Sequence, residues 1–211
     1  MNSINVRRVT GISGIAIFLL SMVVLPLYFV YSGPPPVSNI LTRVLINMFV
    51  CTALIIFLVG FRYLIREARP DFEFIATLSF TFGLVFAIIT FVSDAIQVGS
   101  VLGKSGGIDP TTVGSGAESA ILLFGPIGRL LTSMFLFTAA SAILGTHLLP
   151  KWTARMAQII AVFHFALIPS IFSGTNPAYF YSINGLGIPI SGTFLLIWIL
   201  AVGIILFRKK S

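Results

Sequence analysis

The chain reads as six long apolar runs separated by short polar breaks. The runs extend from about Ile12 to Tyr31, Ile40 to Phe61, Phe72 to Val92, Glu118 to Leu149, Met156 to Phe172 and Ile188 to Phe207. A helix needs roughly 20 mainly apolar residues to cross about 30 Å of hydrocarbon, and all six runs approach or exceed that length. They are apolar all round rather than alternating, which excludes the roughly ten-residue dyad pattern of a membrane β-barrel. The predicted fold class is all-α, a polytopic membrane helix bundle with six transmembrane helices forming one domain over residues 1–211.

The breaks carry their own chemistry. Gly33-Pro34-Pro35-Pro36 cannot be helix interior and predicts a stiff extended connection. Arg69-Pro70-Asp71 ends one helix and opens the next, and Pro150 does the same before Lys151-Trp152. Gly103 to Gly116 reads as a flexible loop, and Gly174-Thr175-Asn176-Pro177 with Asn184-Gly185 marks the last connection. The fourth run is ambiguous, because Gly125-Pro126 interrupts it. One version is a single helix from Glu118 to Leu149 kinked at Pro126. The other starts the span at Arg129 and makes Ala117–Phe124 interfacial or re-entrant. The kinked single helix is preferred.

Composition agrees with the pattern. Hydrophobic residues make up 57% of the chain and charged ones 9%, against about a quarter charged in a soluble domain, so the exterior must face lipid. The net charge of +7 does not imply nucleic acid, since the basic residues sit at the ends of apolar runs rather than on one water-facing surface. Their distribution predicts orientation instead. With the N-terminus inside, Arg7, Arg8, Arg62, Arg66, Arg69, Lys151, Arg155, Arg208, Lys209 and Lys210 are cytoplasmic, and only Arg43, Lys104 and Arg129 of the 13 basic residues lie outside. Both termini are therefore expected in the cytoplasm. The first run is longer than a signal-peptide core and reads as a retained anchor helix. The segment Arg62–Arg69 reads as a helical extension against anionic headgroups.

Ionisable residues at membrane depth are costly and mark candidate functional positions. Arg43, Asp94, Glu118 and Arg129 all fall towards the outer face, where they would line a polar cavity or form ion pairs. The plainer alternative is that the arginines snorkel and the carboxylates are solvated. If Arg129 is buried it needs a partner, for which Glu118, Asp94 or a backbone carbonyl are candidates. His164 lies within the fifth run between Phe163 and Phe165. It is either a neutral histidine bonded to a neighbouring helix or a relay or ligand. His147 is too far from it along the helix pair to share a metal or haem.

Cys51 is the only cysteine, so no multi-cysteine metal site or intrachain disulfide is available, and no metal or cofactor is expected. No metalloprotease, nucleophile-elbow or phosphate-loop motif occurs. The aromatics Tyr28, Tyr31, Tyr179, Phe180 and Tyr181 read as an interfacial belt. Thr138, Ser141, Ala142 and Gly145 form a small-residue stripe suited to close helix packing, within the bundle or in an oligomer.

Val9-Thr10-Gly11-Ile12-Ser13-Gly14, Leu148-Leu149-Pro150-Lys151-Trp152 and the Phe194–Lys209 ending resemble those of small bacterial six-helix integral membrane proteins of the domain-of-unknown-function type. The resemblance implies a bacterial cytoplasmic membrane and brings no activity with it. The leading expectation is a non-enzymatic membrane protein, an accessory or regulatory subunit or a hydrophobic-ligand binder. Its partners would be the lipid bilayer and a membrane protein or a second copy of itself. The alternatives are a small transporter with an outward-facing polar cavity, or an intramembrane enzyme using His164 and the outer carboxylates.

Overall fold

The computed structural model describes residues 3–31, 35–102 and 117–208. Lys104, Asp109, Lys209, Lys210, the Gly103–Gly116 loop and part of the proline connection lie outside the described residues, as does the side chain of Glu118. Every regular element among the described residues is helical: α1 Ser3–Leu27, α2 Val37–Ala68, α3 Glu73–Leu102, the short α4 Ala117–Leu122, α5 Gly128–Thr146, α6 Lys151–Ala166 and α7 Gly187–Arg208. Six spans are long and apolar enough to cross a membrane, α4 and α5 counting as one. The protein is an all-α membrane helix bundle.

The helices differ from the apolar runs mainly at their ends, where polar residues of good helix propensity continue the spiral. α2 runs through Arg62–Ala68 and stops only where Arg69 takes an extended conformation before Pro70. α3 does not end near Val92 as its apolar run suggests; it continues two turns past Asp94. Between α4 and α5 the chain stays helical in path through Leu123–Ile127 as one wide turn. Gly125 is non-helical there, and Pro126 supplies no N–H to the ladder. The fourth span is thus a single broken helix. α5 closes on His147, which is left-handed (φ 54°) and donates its N–H to the Ile143 carbonyl at 3.0 Å. Pro150 then opens α6, its carbonyl accepting from the Thr153 N–H and hydroxyl. In the fifth span, Pro169 turns the last residues into a 3₁₀ segment, Ile168–Ser173.

The helices form a ring in chain order, closed by α7 against α1, with α5 packed on both α3 and α6. In lipid there is little hydrophobic gain from bringing two apolar helices together, so close packing and interhelical hydrogen bonds must hold the ring. Glycine provides the closest approach. A Cβ on Gly203 would lie 2.9 Å from the Gly11 carbonyl oxygen, so the α1 and α7 backbones touch where neither has a side chain. On the small-residue stripe of α5, Ala142 is fully buried and Gly145 receives the Phe72 ring, so these two serve the bundle itself. Ser141 is exposed.

At the centre, Trp198 is fully buried with Phe61 and Phe135 edge-on at 6.4 and 5.8 Å, and its indole N–H donates to the Thr153 carbonyl at 2.9 Å. The cavity between Leu54, Leu58, Phe86, Thr132, Phe135 and Ile199 measures about 10 Å³, barely one water, and its lining is almost wholly apolar. Among the described residues, this part of the bundle is closely packed and apolar.

Candidate functional site

Arg129 is the second residue of α5, directly after the break at Gly125-Pro126, and only 4% of it is exposed. It donates from Nη1 to the hydroxyl of Ser191 on α7, and its guanidinium carbon lies 5.9 Å from the centre of the Phe124 ring. Its Nε is buried without a partner. The Ser191 hydroxyl donates in turn to the Ile188 carbonyl at 2.9 Å.

His164, in the last turn of α6, is 1% exposed, and its Nε2 lies 3.1 Å from the backbone carbonyl oxygen of Ser191. A carbonyl only accepts, so Nε2 carries a proton, and Nδ1 is buried without a partner. Arg129 and His164 thus meet on the two polar groups of one residue, and Ser191 ties three helices together. One turn beyond Arg129, the Ser133 hydroxyl donates to the Ala161 carbonyl at 2.9 Å and repeats the α5–α6 link.

Arg43 and Asp94 belong to a different cluster, built by α1, α2 and α3. Arg43 is 2% exposed, and its guanidinium sits over the Tyr28 ring at 4.2 Å. Asn47, one turn along α2, donates to the Asp94 carboxylate at 2.6 Å. Asp94 does not end its helix at a wet surface but is 7% exposed within it, its carboxyl bonded by that amide. Nearby, Asn39 donates to the Leu27 carbonyl at 3.3 Å and ties α2 to the end of α1.

Of the five candidates for a polar cavity, four therefore fall into two groups, Arg129 with His164 and Arg43 with Asp94, and the Glu118 side chain lies outside the described residues. Neither group contains an ion pair. The ion pairs among the described residues lie at the other end of the bundle, where Glu73 faces Arg62 and Arg66 and Asp71 faces Arg69. Of the partners suggested for Arg129, Glu118 lies outside the described side chains, and Asp94 bonds Asn47 instead. The partner of Arg129, Ser191, is 62 residues away and unremarkable in sequence.

Comparison with protein-family models, curated proteins and solved structures yields no match.

The geometry of the site limits the chemistry. Among the described residues no three histidines, cysteines or carboxylates come together as a metal site. The Nδ1 of His164 has no hydrogen-bond partner, so no nucleophile is bonded to it. Tyr28, Tyr31, Tyr179, Phe180 and Tyr181 are all substantially exposed, at helix ends or in loops. The Tyr181 hydroxyl donates to the Ala166 carbonyl and anchors the last loop on α6.

Proposed function

We propose that the chain is a non-enzymatic multi-pass protein of a bacterial cell membrane, both termini cytoplasmic, that serves as an accessory or regulatory subunit of a membrane complex. The observation that carries this reading is how the buried polar groups are used. Arg129, His164, Ser133, Asn47 and Trp198 each bond a neighbouring helix around an interior whose central void is about 10 Å³. Side chains spent on holding helices together, around a centre too tight for a substrate, suit a scaffold better than a catalyst or a conduit. The outer surface points the same way. Gln158 on α6 is exposed within a spanning segment, beside the exposed Ile159 and Val162, and no described residue hydrogen-bonds its amide. An amide in lipid seeks a polar group on another helix.

A transporter reading has one observation in its favour. Arg129 and His164 each keep a buried nitrogen without a partner beside a broken helix, a combination that discontinuous transporter helices use to bind ions. Purification from native membranes in mild detergent, followed by mass spectrometry of co-purifying proteins and small molecules, separates the two. The subunit reading expects a stoichiometric membrane-protein partner that is lost on Gln158→Leu. A partner-free preparation carrying a specific small molecule contradicts it and favours transport.

A further inference from the structure

Opposite the Arg129 end of the bundle, α2 and α3 flank an open groove of about 190 Å³ lined by Val59, Arg62, Tyr63, Arg66 and Phe80. The four α2 residues recur at three- and four-residue spacing and share one helix face. Arg66 lies seven residues from Val59, so the groove runs about 10 Å from charged mouth to apolar floor. Val59 and Tyr63 are exposed, at 52% and 43%. Phe80 forms the wall contributed by α3, and the Arg62 guanidinium lies 5.7 Å from its ring centre.

The mouth carries two guanidiniums against one carboxylate. Arg62 is paired with Glu73, while its Nε has no hydrogen-bond partner. Arg66 reaches the same carboxylate at 3.4 Å with 68% of its side chain exposed, which leaves its terminal nitrogens open to a ligand. Arg69 is engaged elsewhere, on Asp71 and the Gly145 carbonyl.

We propose that this groove is a binding site for one anionic phospholipid. Its phosphate sits between Arg62 and Arg66, and the start of an acyl chain lies along Val59, Tyr63 and Phe80. The one excess positive charge matches a phosphodiester monoanion, and guanidinium forks suit phosphate oxygens. The apolar floor selects a lipid over a free phosphate, because a bare anion gains nothing from Val59 and Phe80. The proposal is independent of the subunit reading and uses different residues.

The test is native mass spectrometry of the delipidated full chain in mild detergent, titrated with phosphatidylglycerol or phosphatidylcholine of identical acyl chains. One phosphatidylglycerol is expected to bind, with the preference over phosphatidylcholine falling about tenfold in Arg66→Gln, the loss of one charge-assisted contact. Val59→Trp, which fills the floor and leaves both charges intact, is expected to lower occupancy as well. Both positions are exposed, and circular dichroism reports whether helicity is retained. Equal binding of the two lipids, or an unchanged preference in Arg66→Gln, overturns the proposal. So does displacement of the lipid by inorganic phosphate in the wild type together with indifference to Val59→Trp; that result assigns the mouth to a free anion.

Discussion

Replacing Ser191 by alanine removes one oxygen atom and isolates the role assigned to the three-helix junction. The backbone carbonyl that accepts from His164 remains, so the losses are the bond from Arg129 and the hydroxyl's local bond to the Ile188 carbonyl, which the Arg129→Met background separates. A hydrogen bond to a charged group contributes about 1.5–3 kcal/mol in water-soluble proteins. Interhelical bonds inside bilayers average about 0.6 kcal/mol and reach about 1.7, since the unfolded helices find other partners. Arg129 belongs at the upper end of that membrane range. It is 4% exposed and its Nε is already unpartnered, so without the hydroxyl the contact left to its guanidinium among the described residues is the Phe124 ring. The expected cost of Ser191→Ala is therefore about 1–2 kcal/mol, measured by reversible unfolding in mixed detergent micelles followed by circular dichroism. In the Arg129→Met background the same substitution should cost less than about 0.5 kcal/mol, because no buried charge is left to strand. A Ser191→Ala protein as stable as the wild type refutes the reasoning. An undiminished cost in the Arg129→Met background refutes it too, by showing that the hydroxyl acts through something other than Arg129.

Three further predictions follow from the same packing. Arg129→Ala should lower the yield of folded protein in membranes far more than Lys104→Ala, because Arg129 is buried in a span; equal tolerance in a fluorescence-detected size-exclusion assay removes Arg129 from the framework. Gly203→Ala should destabilise by about 1–3 kcal/mol, since its Cβ meets the Gly11 carbonyl oxygen at 2.9 Å and backbone cannot swing aside; an unaltered unfolding midpoint shows that α1 and α7 separate freely. In a Cys51→Ala background, Ala178→Cys should react with an impermeant thiol reagent added outside intact cells, and protection there reverses the assigned orientation.

The spans were legible because lipid imposes a single rule over many residues: twenty apolar positions in a row can be satisfied only as a helix. Helix ends followed from Pro70 and Pro150, whose missing N–H groups act locally. The continuation of α3 past Asp94 was not legible. A carboxylate after an apolar run signals a wet boundary, and only a partner on another helix, here Asn47, allows it to be buried. The Arg129–Ser191 pair was hidden for a related reason. Serines and threonines in apolar helices commonly bond back to their own helix, as Thr10, Ser13, Thr42, Thr52, Thr81 and Ser141 do. Nothing in the local sequence separates Ser191 from these. The signal that could have found it is depth, because Arg129 and Ser191 both lie in the first turns of helices that start at the same end of the bundle.

The central claim is that the bundle interior next to Arg129 is sealed, and thiol accessibility tests it most directly. Thr132 lies three residues inward of Arg129 on the same helix and lines the central void, so its accessibility reports on water reaching inward past Arg129. With Cys51 replaced by alanine, the account predicts that Thr132→Cys stays unmodified by a charged methanethiosulfonate reagent applied to either face of the membrane. Rapid modification from the outer face would contradict it and establish a water-filled vestibule at Arg129.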